Sequence, residues 1–246
     1  MKYRFAVERH DYSDYASGRV FYSLPGQPAF PVRLASEIFQ RCWEYRQSAE
    51  PCVIYDPCCG GAYHLSVLGY WHGRQMEEIV VSDLNTAVLP LAQRNLNLLT
   101  ASGLAERIAE LQQLYATYQK ASHAAALASA ARLQERQQRY LGEHVIPTHL
   151  FAANVMDKAA IMAGVNDRSI DIVISDIPYG WLTDWHTDDV NKSPAWQMLE
   201  TLRFVLSPAA VVAIAADKQQ KVAHEGYERL DKFQVGKRRV WIGRPL

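Results

Sequence analysis

A chain of 246 residues with 49% hydrophobic and 21% charged residues has the make-up of a globular protein with an ample core, and it is too apolar for a disordered chain. No apolar run approaches the roughly 18 residues needed to span a bilayer, and the opening MKYRFAVERHDYSDY lacks the apolar stretch of a secretory signal. Its 26 basic and 26 acidic residues cancel, which at first argues against a nucleic-acid partner.

The distribution of charge says more than the sum. Residues 1–46 carry seven Lys/Arg against five Asp/Glu, and residues 217–246 carry eight against four. Residues 47–99 and 146–216 together hold six bases and thirteen acids. Basic flanks around an acidic middle suit a phosphate polymer held at the periphery while the centre performs another task. The four cysteines, Cys42, Cys52, Cys58 and Cys59, have no zinc-type spacing to the histidines. Reduced thiols, no metal and a cytoplasmic location are expected.

In chain order, residues 1–50 read as an N-terminal lead-in segment and helix. Five apolar runs then read as strands: CVIYD (52–56), EIVVSD (78–83), VIPTHLFAAN (145–154), SIDIVISD (169–176) and AAVVAIAAD (209–217). Near-continuous Val and Ile character suits strands covered on both faces, as in parallel sheets. Helices are predicted at 62–73, 86–99, 157–164, 194–206 and 217–228. The alternation specifies an α/β, doubly wound, Rossmann-like sheet. The tail LDKFQV (230–235), a GK turn and RRVWIG (238–243) read as an antiparallel hairpin closing its edge. Residues 100–145 interrupt the rhythm. Leu104, Ile108, Leu111, Tyr115 and Tyr118 form one helical stripe, and an alanine-rich helix follows. This is an inserted helical hairpin, either a coat on the core or a lid or RNA-docking arm, which leaves 51–99 and 146–246 as the ligand-binding core.

Chemistry concentrates at the strand tips. Asp56 ends the first strand, and Pro57, Cys58 and Cys59 bend the chain. Gly60 and Gly61 leave bare backbone before the next helix. Such a turn admits a ligand close to main-chain N–H groups. Asp83, with Leu84 after it, lies twenty-three residues past Gly60, where an acid can accept ribose hydroxyls. Asn154 ends the third strand and can read an adenine edge while Val155 packs on its face. An acid beside the turn repels a pyrophosphate and attracts a cation. The constellation therefore favours S-adenosyl-L-methionine (SAM) over a dinucleotide. SDIPYG (175–180) ends the fourth strand: Asp176 can accept N–H hydrogen bonds, Pro178 fixes the backbone, and Tyr179 offers a face for stacking. Together these form a clamp for a nucleobase nitrogen, and the base must leave its stack to arrive. The loop 181–196 behind it, with Trp181 and Trp185, is a candidate lid.

D-P-C-C-G-x-x-Y, then S-D, then D-x-P-Y-G on this strand plan resembles class I SAM-dependent methyltransferases, and within them the AviRa family of avilamycin-resistance rRNA methyltransferases. PGQPAFPVRLASEIFQR (25–41), YDPCCGGAYHLSVLG (55–69), SDLN (82–85) and RNL (94–96) also match that family, so the similarity covers most of the chain. The resemblance implies a seven-stranded sheet, SAM as methyl donor and a guanine of 23S rRNA, or of the large ribosomal subunit, as acceptor. It leans to N1 of the guanine, while N2 of guanine and N6 of adenine remain alternatives. Ala62 departs from it by replacing the second glycine of the turn. The extra methyl is expected either to narrow the methionine end of the pocket or to be absorbed by a shift at Gly61. Arg33, Lys218, Lys237, Arg238 and Arg239, with Arg19 and Lys221, are candidate phosphate contacts. A monomer is expected. Methyltransferases of small molecules or proteins use the same cofactor site. A non-catalytic RNA-binding relative remains open if Ala62 spoils the pocket.

Overall fold

The computed structural model describes residues 3–23, 29–165, 169–177 and 192–246. Helix α1 (Val32–Arg46) leads into strand β1 (Cys52–Asp56); α2 (Tyr63–His72), β2 (Met76–Asp83) and α3 (Leu89–Asn97) follow. Helices α4 (Ala101–Tyr118) and α5 (Ala121–Tyr140) form the inserted hairpin. The chain continues through β3 (Thr148–Ala152), α6 (Lys158–Gly164), β4 (Ile170–Asp176) and α7 (Pro194–Leu202). It ends in β5 (Leu206–Asp217), β6 (Tyr227–Val235) and β7 (Arg238–Pro245).

The seven strands make one sheet in the order β3-β2-β1-β4-β5-β7-β6. Strands β1 to β5 pair in parallel, and β7 runs antiparallel to both β5 and β6. Every residue of β1 is buried, and its side chains alternate between two cores. Cys52 and Ile54 join the face covered by α1, α2 and the hairpin, whereas Val53 and Tyr55 join the face covered by α6 and α7. The chain order reverses between β1 and β4, the switch point at which open α/β sheets bind ligands beyond the strands' carboxyl ends. Among the described residues, no helix is long and apolar enough to cross a membrane.

Several boundaries depart from expectation. The helix expected over 217–228 is absent: β5 runs to Asp217, a turn follows, and β6 begins at Tyr227. DKQQKVAHEG contains helix formers but no apolar stripe to bury, so nothing holds it as a helix against the sheet. Helix α7 stops at Leu202, and β5 starts at Leu206 rather than at 209. Strand β3 is shorter than the predicted 145–154, and its side chains are half-buried or exposed because it lies at the sheet edge. The helix expected from 86 opens with a 3-10 turn, Thr86–Val88, capped by the Asn85 side chain, before α3.

Candidate active site

The carboxyl end of β1 drops straight into the turn 57–62. Asp56 is fully buried there. Its Oδ1 accepts hydrogen bonds from the Cys58 backbone N–H at 3.1 Å and from the Ser175 hydroxyl at 2.8 Å. Its Oδ2 has no hydrogen-bond partner and lies 3.3 Å from His64 Nε2. Burial pushes the Asp56 carboxyl up to about 6, with His64 and the two hydrogen bonds pulling the other way. Burial also raises Cys58 and Cys59, with Asp56 and Asp83 adding to the effect, so the surroundings disfavour a thiolate at either position.

Gly60 takes φ +50°, a left-handed conformation that glycine adopts without a steric cost. Its N–H donates to Asp83 Oδ2 at 2.7 Å, while Asp83 Oδ1 accepts from the Asn85 N–H at 2.8 Å. Asp83 thus fastens the glycine turn to the tip of β2. Burial raises its carboxyl, against the two backbone hydrogen bonds. Ala62 also has φ +50°, which explains why a glycine suits this position, yet its side chain is fully buried in the core. It does not line the cleft, so its methyl group does not narrow the pocket.

Above the turn is a cleft of about 120 Å³. Cys58, Gly60, Gly61 and His64 form its floor, Tyr22 and Phe30 from the lead-in segment wall it, and Asp176 stands at its rim. Buried Asn95 holds two of these parts together. Its amide donates to Gly61 O at 2.8 Å and Tyr22 O at 3.1 Å, and its carbonyl accepts from the Tyr22 N–H at 2.8 Å. Asn95, His64 and Ser175 were not among the residues singled out from sequence. His64 and Asn95 lie inside segments that carry the family resemblance, YDPCCGGAYHLSVLG and RNL, and Ser175 opens SDIPYG, but no role attached to them there.

The tips of β2 and β3 continue the same edge. Asp83 pairs with Ala152, and the Ala153 N–H donates to Asp83 O at 3.2 Å, which carries Asn154 alongside. Asn154 is half-buried and its Oδ1 caps the Met156 N–H at 3.0 Å. Val155 is buried in the second core, whereas Leu84 exposes 49% of its surface.

Asp176 ends β4 and pairs with Ala215. The Arg238 Nε–H and Nη2–H point at its two oxygens, each at 3.4 Å, and the same guanidinium lies 5.2 Å from the Phe30 ring centroid. Pro178, Tyr179, Trp181 and Trp185 lie outside the described residues. Lys218 follows the last residue of β5, Lys237 closes the β6–β7 turn, and Arg238 and Arg239 begin β7, so all four lie near the edge that carries Asp176. Arg33 is engaged elsewhere: it donates to Ala6 O and Val7 O at 2.8 Å and stacks 3.9 Å over Tyr3. Arg19 donates to Ser129 Oγ at 3.4 Å. Among the described residues no cluster of His, Cys, Asp or Glu could hold a metal.

A 3-2-1-4-5-7-6 sheet with its cleft at the carboxyl ends of β1 and β4 and an acid at each neighbouring tip defines a methyltransferase of the class I, SAM-dependent type. The rRNA methyltransferase AviRa family matches residues 1–238, and the chain belongs to that family. It is 39% identical over 236 residues, 96% of its length and 93% of the relative's, to the 23S rRNA (guanine(2535)-N(1))-methyltransferase of Streptomyces viridochromogenes. The crystal structure of the rRNA methyltransferase AviRa from that organism superposes with a TM-score of 0.89 at 37% identity, covering 99% of this chain and 96% of that one. TrmN from Thermus thermophilus shares the fold at a TM-score of 0.51 and 14% identity, covering 88% of this chain and 49% of that one.

Proposed function

We propose that this chain methylates N1 of a guanine in 23S rRNA, with SAM held along the edge from β1 to β3. The observation that carries the reading is the placement of Asp176 at the rim of a glycine-floored cleft, in a chain 39% identical to a guanine-N1 enzyme. The residues present fit the cofactor. Bare backbone at Gly60 and Gly61 admits a close approach, and the buried Asp56 Oδ2, which accepts no hydrogen bond and lies 3.3 Å from His64 Nε2, puts negative charge behind His64, toward the end where a cationic amino acid would sit. Exposed Leu84 offers an apolar plate for an adenine, beside Asn154, and Asp83 is placed for the ribose. When bound there, SAM supplies an electrophilic methyl group.

The protein's contribution is positioning and proton handling. A guanine edge presents N1–H and N2–H side by side, and the Asp176 carboxylate can accept from both. As N1 becomes the nucleophile its proton must leave, and Asp176 is the group placed to take it. Pro178 and Tyr179 are proposed to complete the clamp. Lys218, Lys237 and Arg239 hold phosphate at the same edge. Arg238 divides its interest between the RNA and Asp176. The test is to incubate the protein with isotopically labelled SAM and 23S rRNA and map the product by mass spectrometry. A single mark on guanine N1 is expected. A mark on N2 or on an adenine would overturn the assignment of Asp176 as a base, and no mark at all would overturn the reading as a whole.

A further inference from the structure

The apolar stripe of α4 is longer than the core that receives it. Leu104 and Leu111 are fully buried and Ile108 half-buried, but Tyr115 and Tyr118, which continue the same face, are 42% and 58% exposed. Helix α5 runs alongside with alanine at 121, 124, 125, 126 and 128, side chains too small to cover two phenol rings. Burial ends at Leu111 on α4 and resumes at Ala126 on α5. From Leu111 to Tyr118 the helix runs on for about 10 Å, seven residues at 1.5 Å each, a stretch in which Leu114, with Leu127 opposite on α5, still packs partly against the core while both tyrosines stand exposed.

The chemistry of this outer half differs from that of the root. Glu106, Glu110 and Glu135 belong to the inner part, and no acidic residue occurs from 111 to 134. Lys120 Nζ lies 5.6 Å from the Tyr118 ring centroid, and the His123 ring lies 6.1 Å from it. A solvated arm would be expected to carry mixed charges, and a core helix would bury its rings. Two exposed aromatic rings, with the Lys120 ammonium beside one of them and no acidic residue from 111 to 134, form instead a stacking platform for bases with a counter-charge for phosphate. The root sits at the cleft: Glu110 accepts from the Tyr22 hydroxyl at 2.9 Å, and Tyr22 is part of the cleft wall. An RNA whose target base enters the cleft would thus have neighbouring nucleotides within reach of the arm.

We infer that the outer α4–α5 hairpin docks an unpaired loop of the substrate rRNA, with Tyr115 and Tyr118 stacking on bases and Lys120 meeting phosphate. The inference rests on the proposed rRNA substrate. Its test is steady-state methylation of 23S rRNA by wild type, a Tyr115→Ala/Tyr118→Ala variant and a Tyr115→Phe/Tyr118→Phe variant, with thermal unfolding of each as the folding control. The alanine pair should raise KM for RNA about tenfold or more, leaving kcat and KM for SAM within twofold, and the phenylalanine pair should behave like wild type. An unchanged KM in the folded alanine variant, or a loss confined to kcat, would overturn the docking role. Failure of wild type itself to methylate the RNA would sink the substrate assignment instead, so the two failures are distinguishable.

Discussion

Arg238 addresses both oxygens of Asp176 from the first residue of β7, across the intervening strand β5. The carboxylate that would receive a guanine edge is therefore already oriented by a cation from the antiparallel hairpin. Asp176→Asn keeps the shape and removes the proton acceptor. Its kcat should fall by about 10²-fold or more, with the SAM dissociation constant within threefold of wild type. Arg238→Gln removes the orienting partner and should cost roughly tenfold in kcat. Near-normal turnover by Asp176→Asn would remove it from proton transfer.

Asp56 ties stability to pH. Its folded carboxyl titrates near 6, above the ordinary 3.8, because burial disfavours the charge. The folded state thus holds this proton to higher pH than the unfolded chain. The resulting stabilisation is complete below about 3.8, is lost as pH rises to about 6, and does not change further above that. Asp56→Asn should accordingly be more stable than wild type at pH 7.5, by up to about 3 kcal/mol, and no more stable at pH 4. Urea unfolding at the two pH values measures this. SAM affinity should fall in the same variant, since the charge behind His64 is gone.

Glu37 works in the opposite sense. Its buried carboxylate accepts from the backbone N–H groups of Arg4, Phe5 and Ala6 at 2.7, 2.9 and 2.8 Å, and from Arg41 at 2.8 Å. Burial alone would raise its pKa, but those donors outweigh it and hold the carboxyl below its usual range. The stability it contributes is present above the ordinary carboxylate pKa and is lost as pH falls through the lowered one. Glu37→Ala strands three N–H groups and leaves Arg41 with Asp231 as its remaining carboxylate partner, which should cost about 3 kcal/mol. Faster amide exchange over residues 4–6 would accompany the loss, and protection equal to wild type there would contradict it.

Ala62→Gly should change little. Relief of the left-handed backbone is worth about 1–2 kcal/mol, and the lost methyl burial and added chain entropy together cost about the same. A melting temperature within about 3 °C of wild type is expected, with unchanged SAM affinity because residue 62 lies outside the cleft. A clear gain in affinity would mean that the methyl does intrude.

The strands β1, β2 and β4 were legible because each is a short Val/Ile run ending in an acid, buried on both faces. The glycine turn could be placed for the same reason. What it is fastened to could not. The Gly60–Asp83 bond joins residues with no periodic relation, and Asn95 meets Tyr22 across 73 positions. The segment 217–228 misled because helix-forming residues without an apolar face say little about tertiary fate. Arg33 looked like a free cation, yet it is engaged by Ala6 and Val7, partners whose carbonyls carry no signature in the sequence.

The α4–α5 hairpin is rooted in the main core through Leu104, Leu111, Ala130 and Leu133, while Tyr115 and Tyr118 toward its far end stand exposed. Substitutions at those exposed rings are expected to carry little folding penalty and to leave the chemistry at the strand tips as it is. A molecule built this way can change which ribosomal neighbourhood it addresses while its reaction stays the same.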